Sequence, residues 1–560
     1  MLTFSSDARV AEDQMHAVIF YLTAFGYIDG EFDAREKDFI QAKIHSIVTD
    51  RARVARQTFT DLTDAAADEM IAKWTQHFHE VLDSVQATIE SNFTEAVADG
   101  ENAQQFVLQK LKLRCYELFK KFDEDNRGVL LEAVDELMRA DGVIHPSEAR
   151  FRAELSSLLS APLDLDEAEM DILEQGAVVI DAAKSLSPTD DNHPFFSAFE
   201  FDYATDPDTF KKQSEADMAL ITKVREALAA QRAKGNGALG GIMDVRDLAG
   251  RAPFLDGHVY GLLPEPGKAY ELLVLGDLHG CYSCLKAALL QGDFFRKVEA
   301  FRADPVNNPD VKVVLLGDYI DRGKFSYNGI LRTVMQLFVT VPDHVYMLRG
   351  NHEYYVEYNG RIYGGVKPAE AINSLADIAP KEVFEAYMHL FEDLPNMLVF
   401  DRTLFVHAGI PRDETMARKW TGLETLNDAE VRFQMLWSDP SEADFIPPEL
   451  QMANARFPFG KKQFKSFLAR TGLNALVRGH ERIIEGFKII YDEPEGKLLN
   501  LFSAGGRNNG DLPETSNYRE VSPMALTIQY RDGVSQVTPF LIDYEKYNDP
   551  KYNAFFRAAE

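Results

Sequence analysis

The stretch Glu271–Gly280, ELLVLGDLHG, decides the fold: four apolar residues in a row run into Gly-Asp, and a His follows two positions later. The same arrangement returns in VKVVLLGDYIDRG (311–323), HVYMLRGNHE (344–353), RTLFVHAG (402–409) and NALVRGH (474–480), with LWSDP (436–440) between the last two. A short apolar run ended by a turn reads as a buried strand. A polar side chain just past its end sits where a sheet hands ligands from several strands to one point. Helical stretches separate these runs, and LLNLFSA (498–504), ALTIQY (525–530) and the run near 537–542 add strands. The second half of the chain is therefore expected to be α/β or α+β rather than a helical bundle.

The residues at those strand ends are Asp277, His279, Asp318, Asn351, His407 and His480. Carboxylate, imidazole and amide without thiolate suit Mn, Fe or Zn and disfavour a Cys-type structural zinc site. Hydrolysis of a phosphoester needs a nucleophile brought to a charged centre. Two divalent ions about 3.5–4 Å apart achieve this by acidifying a shared water and clamping phosphoryl oxygens. The set contains what such a centre needs, one carboxylate able to bridge and terminal N and O ligands around it, so the expectation is a two-metal phosphoesterase. Any single Asp of this kind reads equally well as a helix cap and any single His as a satisfied core residue. Six segments in this order do not.

Upstream the text changes character. From Met1 to about Lys184 it is helical in period, rich in Ala, Glu, Asp and Leu. LSPTDDNHPFFSAFEFDYATDPDTF (186–210) is broken by proline and clustered Asp. A helical segment at 216–233 then leads into GNGALGG (235–241), the most flexible composition in the chain. The expected organisation is a helical domain over residues 1–185, a connector with one helix and a Gly-rich linker over 186–245, a catalytic domain over 246–545 and a polar tail over 546–560. YIDGEFDAREKDFI (27–40) and RADGVIHPSEARF (139–151) share Asp-Gly, an apolar residue two positions after the Gly, and a Glu seven after the Asp (Glu36, Glu148). This duplicated spacing resembles the tellurite-resistance TerB-like helical domains. FDEDNRGVLLEAV from Phe122 copies the first half of a calcium loop at Asp123, Asp125 and Gly128. Arg127 and Val134 stand where ligands are needed, so a helix-capping turn is expected instead.

A chain of 560 residues implies two or three domains, and 46% hydrophobic residues are ample for packed cores. The net charge of -30 argues against nucleic-acid partners, whose affinity rests on Lys and Arg neutralising phosphates. No apolar run is long enough to span a bilayer, and the start MLTFSSDARVAED has no signal character, so a cytoplasmic location and no membrane partner are expected. Three cysteines fit a reducing compartment. Cys281 and Cys284 form CxxC after the first ligand segment, where packing at a helix start is expected ahead of a redox role.

In order and wording, GDYIDRGKFS, RGNHE with RIYG (361–364), FEDLPNMLVF with LFVHAGI, MLWSDP, NARFPFG (454–460) and LVRGHERIIEG resemble the phosphoprotein phosphatase (PPP) family of metal-dependent serine/threonine phosphatases, from about Tyr270 to Ala504. The resemblance implies a calcineurin-like metallophosphoesterase β-sandwich flanked by helices, beside the all-α N-terminal domain. It implies that Asp277 and His279 hold one metal, Asn351, His407 and His480 the other, and that Asp318 bridges both, with two divalent ions, Mn ahead of Fe or Zn, as cofactors. His352 would be the general acid to the leaving oxygen and Asp321 its orienting partner. Arg322 and Arg456 would grip the phosphate, and Arg478 would brace the His480 loop. The implied reaction is direct attack of metal-activated water on a phosphorylated protein substrate, without a phosphoenzyme. The helical domain would regulate or dock, with a regulatory partner there.

Two departures matter. After LFSA, where members of the family continue with Pro-Asn-Tyr, this chain has Gly505, Gly506 and Arg507 and a polar insert through Tyr518, so the aromatic at the rim is missing from its expected place. GDLHGCY and HAGI are closer to the bacterial and phage branch, whose relatives include dinucleoside polyphosphate hydrolases. A nucleotide-directed phosphoesterase is the alternative, and a metal-binding interaction module a more distant one.

Overall fold

The computed structural model describes residues 2–5, 7–28, 32–58, 63–92, 97–98, 103–120, 122–139, 150–156, 177–452 and 456–557. They fall into two compact units: Met1–Asp166 with Ser441–Ala443 and Pro447–Asn454, and the remainder. Among the described residues no helix is long and apolar enough to cross a membrane.

The first unit contains helices α1 (Ala8–Gly26), α2 (Ala34–Thr58), α3 (Asp64–Asn92), α4 (Ala103–Lys120) and α5 (Glu124–Leu137). Asp7 starts α1 by accepting from the Arg9 and Val10 amides at 2.9 and 3.1 Å, and the buried stripe Ala11, Met15, Val18, Leu22, Phe25 follows at helical spacing. Asp123 caps α5 by accepting from Asn126 N at 2.8 Å, so the half calcium loop serves as a helix start. In the first acidic turn, Glu36 and Asp33 form a reciprocal capping box, each accepting from the other's amide at 2.8 and 2.9 Å. Asp29, Asp141 and Glu148 lie outside the described residues.

The second unit is built on two mixed sheets. One has six strands in the order Ala177–Ile180, Val534–Leu541, Met524–Arg531, Tyr270–Leu275, Asp310–Leu315, Val345–Met347, and the last three of these run parallel. The other has seven, in the order Phe487–Glu493, Gly496–Leu501, Ala475–Arg478, Thr403–Val406, Met397–Phe400, Val259–Leu262, Phe254–Asp256. Leu272, Val274 and Val313 of the first sheet share one apolar cluster with Leu398, Phe405, Val477 and Leu499 of the second. Their neighbours Val399, Leu404, Val406, Leu476 and Leu498 point the other way into a second cluster. Both faces of these strands are buried, which is why the sequence shows continuous apolar runs instead of alternation.

The expected domain limits shift in three places. Residues 177–180, read as the end of the helical domain, form an edge strand parallel to Val534–Leu541. The connector is packed: its helix α6 spans Pro207–Gly235, longer than the expected 216–233, because Asp206 caps it through Thr209 N and Pro207 occupies the first turn. Phe210, Ile221, Val224 and Leu228 of α6 enter the main core, and Leu239 of the Gly-rich stretch is buried in the second cluster. Gly235 is demanded there by contact, since a Cβ would lie 2.4 Å from Leu255 O. The tail is packed as well: Tyr547 and Phe555 are buried, Phe555 meets the Tyr282 ring of α7 (Tyr282–Gln291) edge-on, and Tyr547 O accepts from Ser283 Oγ.

Candidate metal centre

The three parallel strands of the six-stranded sheet end at Leu275, Leu315 and Met347, and the chain beyond them carries Asp277, Asp318 and Asn351. Two parallel strands of the seven-stranded sheet end at Val406 and Arg478, before His407 and His480. An isolated bridge between Asp277 and Phe502 joins the two sheets there, and His480 N donates to Asp277 Oδ1 at 2.8 Å. All six expected ligands are thus brought to one place at the carboxyl ends of parallel strands. Close approach requires glycine beside them: a Cβ on Gly350 would stand 2.2 Å from both Asp318 N and Asp318 Oδ1. His279, Asp318, Asp321, Arg322 and His480 all have φ between 41° and 70°, a left-handed conformation that costs free energy and that tight surrounding hydrogen bonds maintain.

The donor atoms face one another. His279 Nε2 is 3.7 Å from Asp277 Oδ2 and 3.5 Å from Asp318 Oδ2; His407 Nε2 is 3.4 Å from Asp318 Oδ1. Asn351 Oδ1 lies 2.8 Å from His407 Nε2 and 3.1 Å from His480 Nδ1. The remote ring nitrogens of two imidazoles are committed elsewhere. His279 Nδ1 donates to Ile320 O at 2.9 Å and His407 Nδ1 to Leu316 O at 3.0 Å, which leaves both Nε2 lone pairs aimed into the cluster.

This arrangement fits divalent cations. Asp277 Oδ2 is buried with no hydrogen-bond partner, and the Asn351 amide oxygen faces only lone pairs. Burial pushes the Asp277 carboxyl up to about 7, against the pull of the His480 amide and Arg478. Burial, then Asp277 and Glu353, push Asp318 well above the usual carboxylate range. His279, His407 and His480 are held neutral by burial. Carboxylates crowded out of water next to unprotonated imidazoles are what bound cations would stabilise.

Around the cluster, His352 Nδ1 lies 2.7 Å from Asp321 Oδ2, and Asp321 Oδ1 accepts from Ala371 N at 2.8 Å. Arg322 is locked by its Nη1 to both Glu370 oxygens at 2.9 Å, while its Nη2 is buried without a hydrogen-bond partner. Arg456 Nη1 reaches Asp439 Oδ2 at 3.3 Å, and Arg456 helps keep His352 and His480 neutral. Arg478 is fully buried and spends its guanidinium on Ala408 O, Asn500, Glu481 and Asp439, so it braces the loop.

Two residues had no place in the sequence reading. Glu353, the last residue of RGNHE, is completely buried and accepts from the amides of Asp318, Tyr319 and Gly350 at 2.8–2.9 Å, which shapes two ligand loops at once. Its only sequence signal is its place directly after Asn351 and His352. Tyr518 stacks on His279 with centroids 5.3 Å apart and planes 15° from parallel, and also contacts Phe502. Burial pushes its phenol up to about 12, with Arg322 opposing and Asp277 and Asp318 adding. The aromatic missing after LFSA is therefore supplied from the far end of the insert. The insert is itself packed. Arg519 donates to the carbonyls of Arg507, Leu512 and Pro513, and the buried Asp511 accepts from Ser283 N and Oγ. Cys281 and Cys284 are buried where α7 starts, and burial holds the Cys284 thiol well above its ordinary value, which disfavours a reactive thiolate.

Residues 270–482 match the family model of the calcineurin-like phosphoesterases. A probable serine/threonine-protein phosphatase of Encephalitozoon cuniculi is 27% identical over 238 residues, covering 42% of this chain and 47% of that protein. The serine/threonine-protein phosphatase 6 catalytic subunit of Caenorhabditis elegans is 30% identical over 238 residues, 41% of this chain and 63% of that protein. Serine/threonine-protein phosphatase 5 of Homo sapiens is 26% identical over 241 residues, with 42% and 43% covered. The chain spans about half the length of these curated relatives.

Proposed function

We propose that the chain carrying this calcineurin-like phosphoesterase domain is a metal-dependent protein phosphatase that hydrolyses phosphoserine and phosphothreonine, with the helical unit regulatory or substrate-docking. The observation that carries the reading is the convergence of six buried donor side chains beside the His352–Asp321 pair. Asp277 and His279 would hold one divalent ion and Asn351, His407 and His480 a second, with Asp318 shared; Mn suits the donors, as do Fe and Zn. When bound, the ions supply Lewis-acid charge for phosphoryl oxygens and acidify water.

The remaining steps belong to side chains. Arg322, fixed on one edge by Glu370, presents its other edge, and Arg456 grips from a second direction, because planar guanidinium groups match pairs of phosphoryl oxygens. In the ligand-free protein His352 is neutral, held so by burial and then by those two arginines. A bound phosphate dianion offsets both positive charges, so His352 takes up a proton while Asp321 keeps its ring in place. His352 then passes that proton to the departing serine or threonine oxygen. Support for a role of the helical unit comes from its composition. It takes in residues 441–443 and 447–454, between Asp439 and Arg456 in sequence, and Glu117 accepts from Ser441 Oγ and Glu442 N.

The donor set does not separate a phosphomonoester from a phosphoanhydride, so dinucleoside polyphosphates are the second reading. Turnover of a phosphoserine peptide and of diadenosine tetraphosphate by the same Mn-loaded protein tests the choice. We expect kcat/KM at least about tenfold higher on the peptide, or about 1.4 kcal/mol. The reverse order would replace protein dephosphorylation by nucleotide hydrolysis.

Tyr518 is placed to order substrate over the centre. Tyr518→Phe keeps the ring on His279 and removes one hydroxyl beside Arg322, so KM should rise about fivefold, equivalent to about 1 kcal/mol, with kcat within about twofold. Unchanged KM on the phosphoserine peptide would leave the ring as packing alone.

A further inference from the structure

We propose that the helical unit carries a separate zinc site formed by Glu12 and His16 of α1 and His77 of α3, a Zn(II) staple between two helices. Glu12 and His16 are four residues apart and so share one face of α1, and His77 comes from the facing side of α3. One ligand atom from each lies within 4.8 Å of the others. His77 Nε2 and Glu12 Oε1 are already 3.1 Å apart. A tetrahedral zinc with bonds of about 2.0–2.2 Å holds its ligand atoms roughly 3.4 Å apart, so the longest separation must shrink by at most about 1.5 Å. Rotation of the solvent-exposed His16 ring supplies that movement.

A plain ion pair between Glu12 and His77 leaves His16 unexplained. It makes no hydrogen bond among the described residues, yet its ring centroid sits 6.4 Å from that of His77. The two imidazoles share an aromatic wall. Phe78 meets the His16 ring edge-on at 6.2 Å, and Trp74 meets the His77 ring edge-on at 5.5 Å. His16 is exposed and Glu12 and His77 are only part-buried, so a fourth position is open to water. Two imidazoles, borderline nitrogen donors, beside one carboxylate select Zn(II) over Mg(II) or Ca(II), which take oxygen ligands. The site is distinct from the acidic Asp-Gly turns and from the donors at the strand ends. Its consequence is that zinc bound to the native helices stabilises them and is lost when they open.

Equilibrium dialysis of the full chain against Zn(II), with bound metal counted per chain, tests this by difference, so ions held by the phosphoesterase centre cancel. The wild type should retain one more zinc than His16→Ala/His77→Ala and one more than Glu12→Gln. Zinc should also raise the melting temperature of the wild type more than that of either variant. His16 is exposed and Glu12 and His77 only part-buried, and far-ultraviolet circular dichroism checks helicity; Glu12→Gln is close to isosteric and serves if the double variant unfolds. Equal zinc counts in wild type and folded variants would overturn the proposal, whatever the outcome for phosphatase turnover.

Discussion

Asp318→Asn should lower kcat on a phosphoserine peptide by about 10³-fold or more, a loss of about 4 kcal/mol of transition-state stabilisation, and should reduce the divalent ions retained by the phosphoesterase centre. Among the described residues, Asp318 is the carboxylate whose two oxygens face both groups of donors, Oδ2 toward His279 and Oδ1 toward His407. Asparagine is the informative replacement because it tolerates the left-handed φ of 50° and keeps an oxygen for the His352 amide, now 3.0 Å from Oδ1. The charge is removed and one acceptor oxygen becomes an amide NH2. In the metal-free protein that charge is penalised, by burial first and then by Asp277 and Glu353. A folded-state pKa raised above the unfolded value means stability is lost as pH climbs through it, so Asn should leave the metal-free melting temperature at neutral pH no lower than in the wild type. Full turnover with full metal content in this variant would remove Asp318 from the centre.

His352→Asn should lower kcat about 10²–10⁴-fold on the same peptide while leaving metal content unchanged, which separates an acid from a ligand. The amide can still donate to Asp321 Oδ2, so a buried carboxylate is not orphaned and folding is not the variable. The loss should shrink on a substrate with a good leaving group, such as a nitrophenyl phosphate, because a phenolate needs little protonation. A loss of equal size on both substrates would assign His352 to structure or phosphate binding instead.

How far the sequence reads depends on the range of the forces involved. Leu272 to Leu275 and Val313 to Leu316 announce themselves because strands buried on both faces are apolar over most of their length, and the polar residue beyond each run has nowhere to go except the sheet's end. The meeting of Asp277, His279, Asp318, Asn351, His407 and His480 follows from that local pattern, repeated in order. Features that depend on distant partners were not legible. The strand at 177–180 exists only because Val534–Leu541 offers a free edge, more than three hundred residues away in sequence. GNGALGG reads as a loose linker by composition, yet Leu239 finds a core pocket and Gly235 is pressed against Leu255. Tyr518 was readable only as part of a polar insert. The carbonyl contacts of Arg519 and the burial of Asp511 place its ring over His279, and neither leaves a periodic signal.

Whether the six strand-end donors hold the ions that drive hydrolysis is decided by phosphate release from a phosphoserine peptide by chelator-stripped protein, followed during titration with Mn(II). The stripped protein should release no phosphate above background, and turnover should recover only as the centre fills with two ions per chain. Turnover that survives complete stripping, or that no divalent ion restores, would contradict that role for the donors.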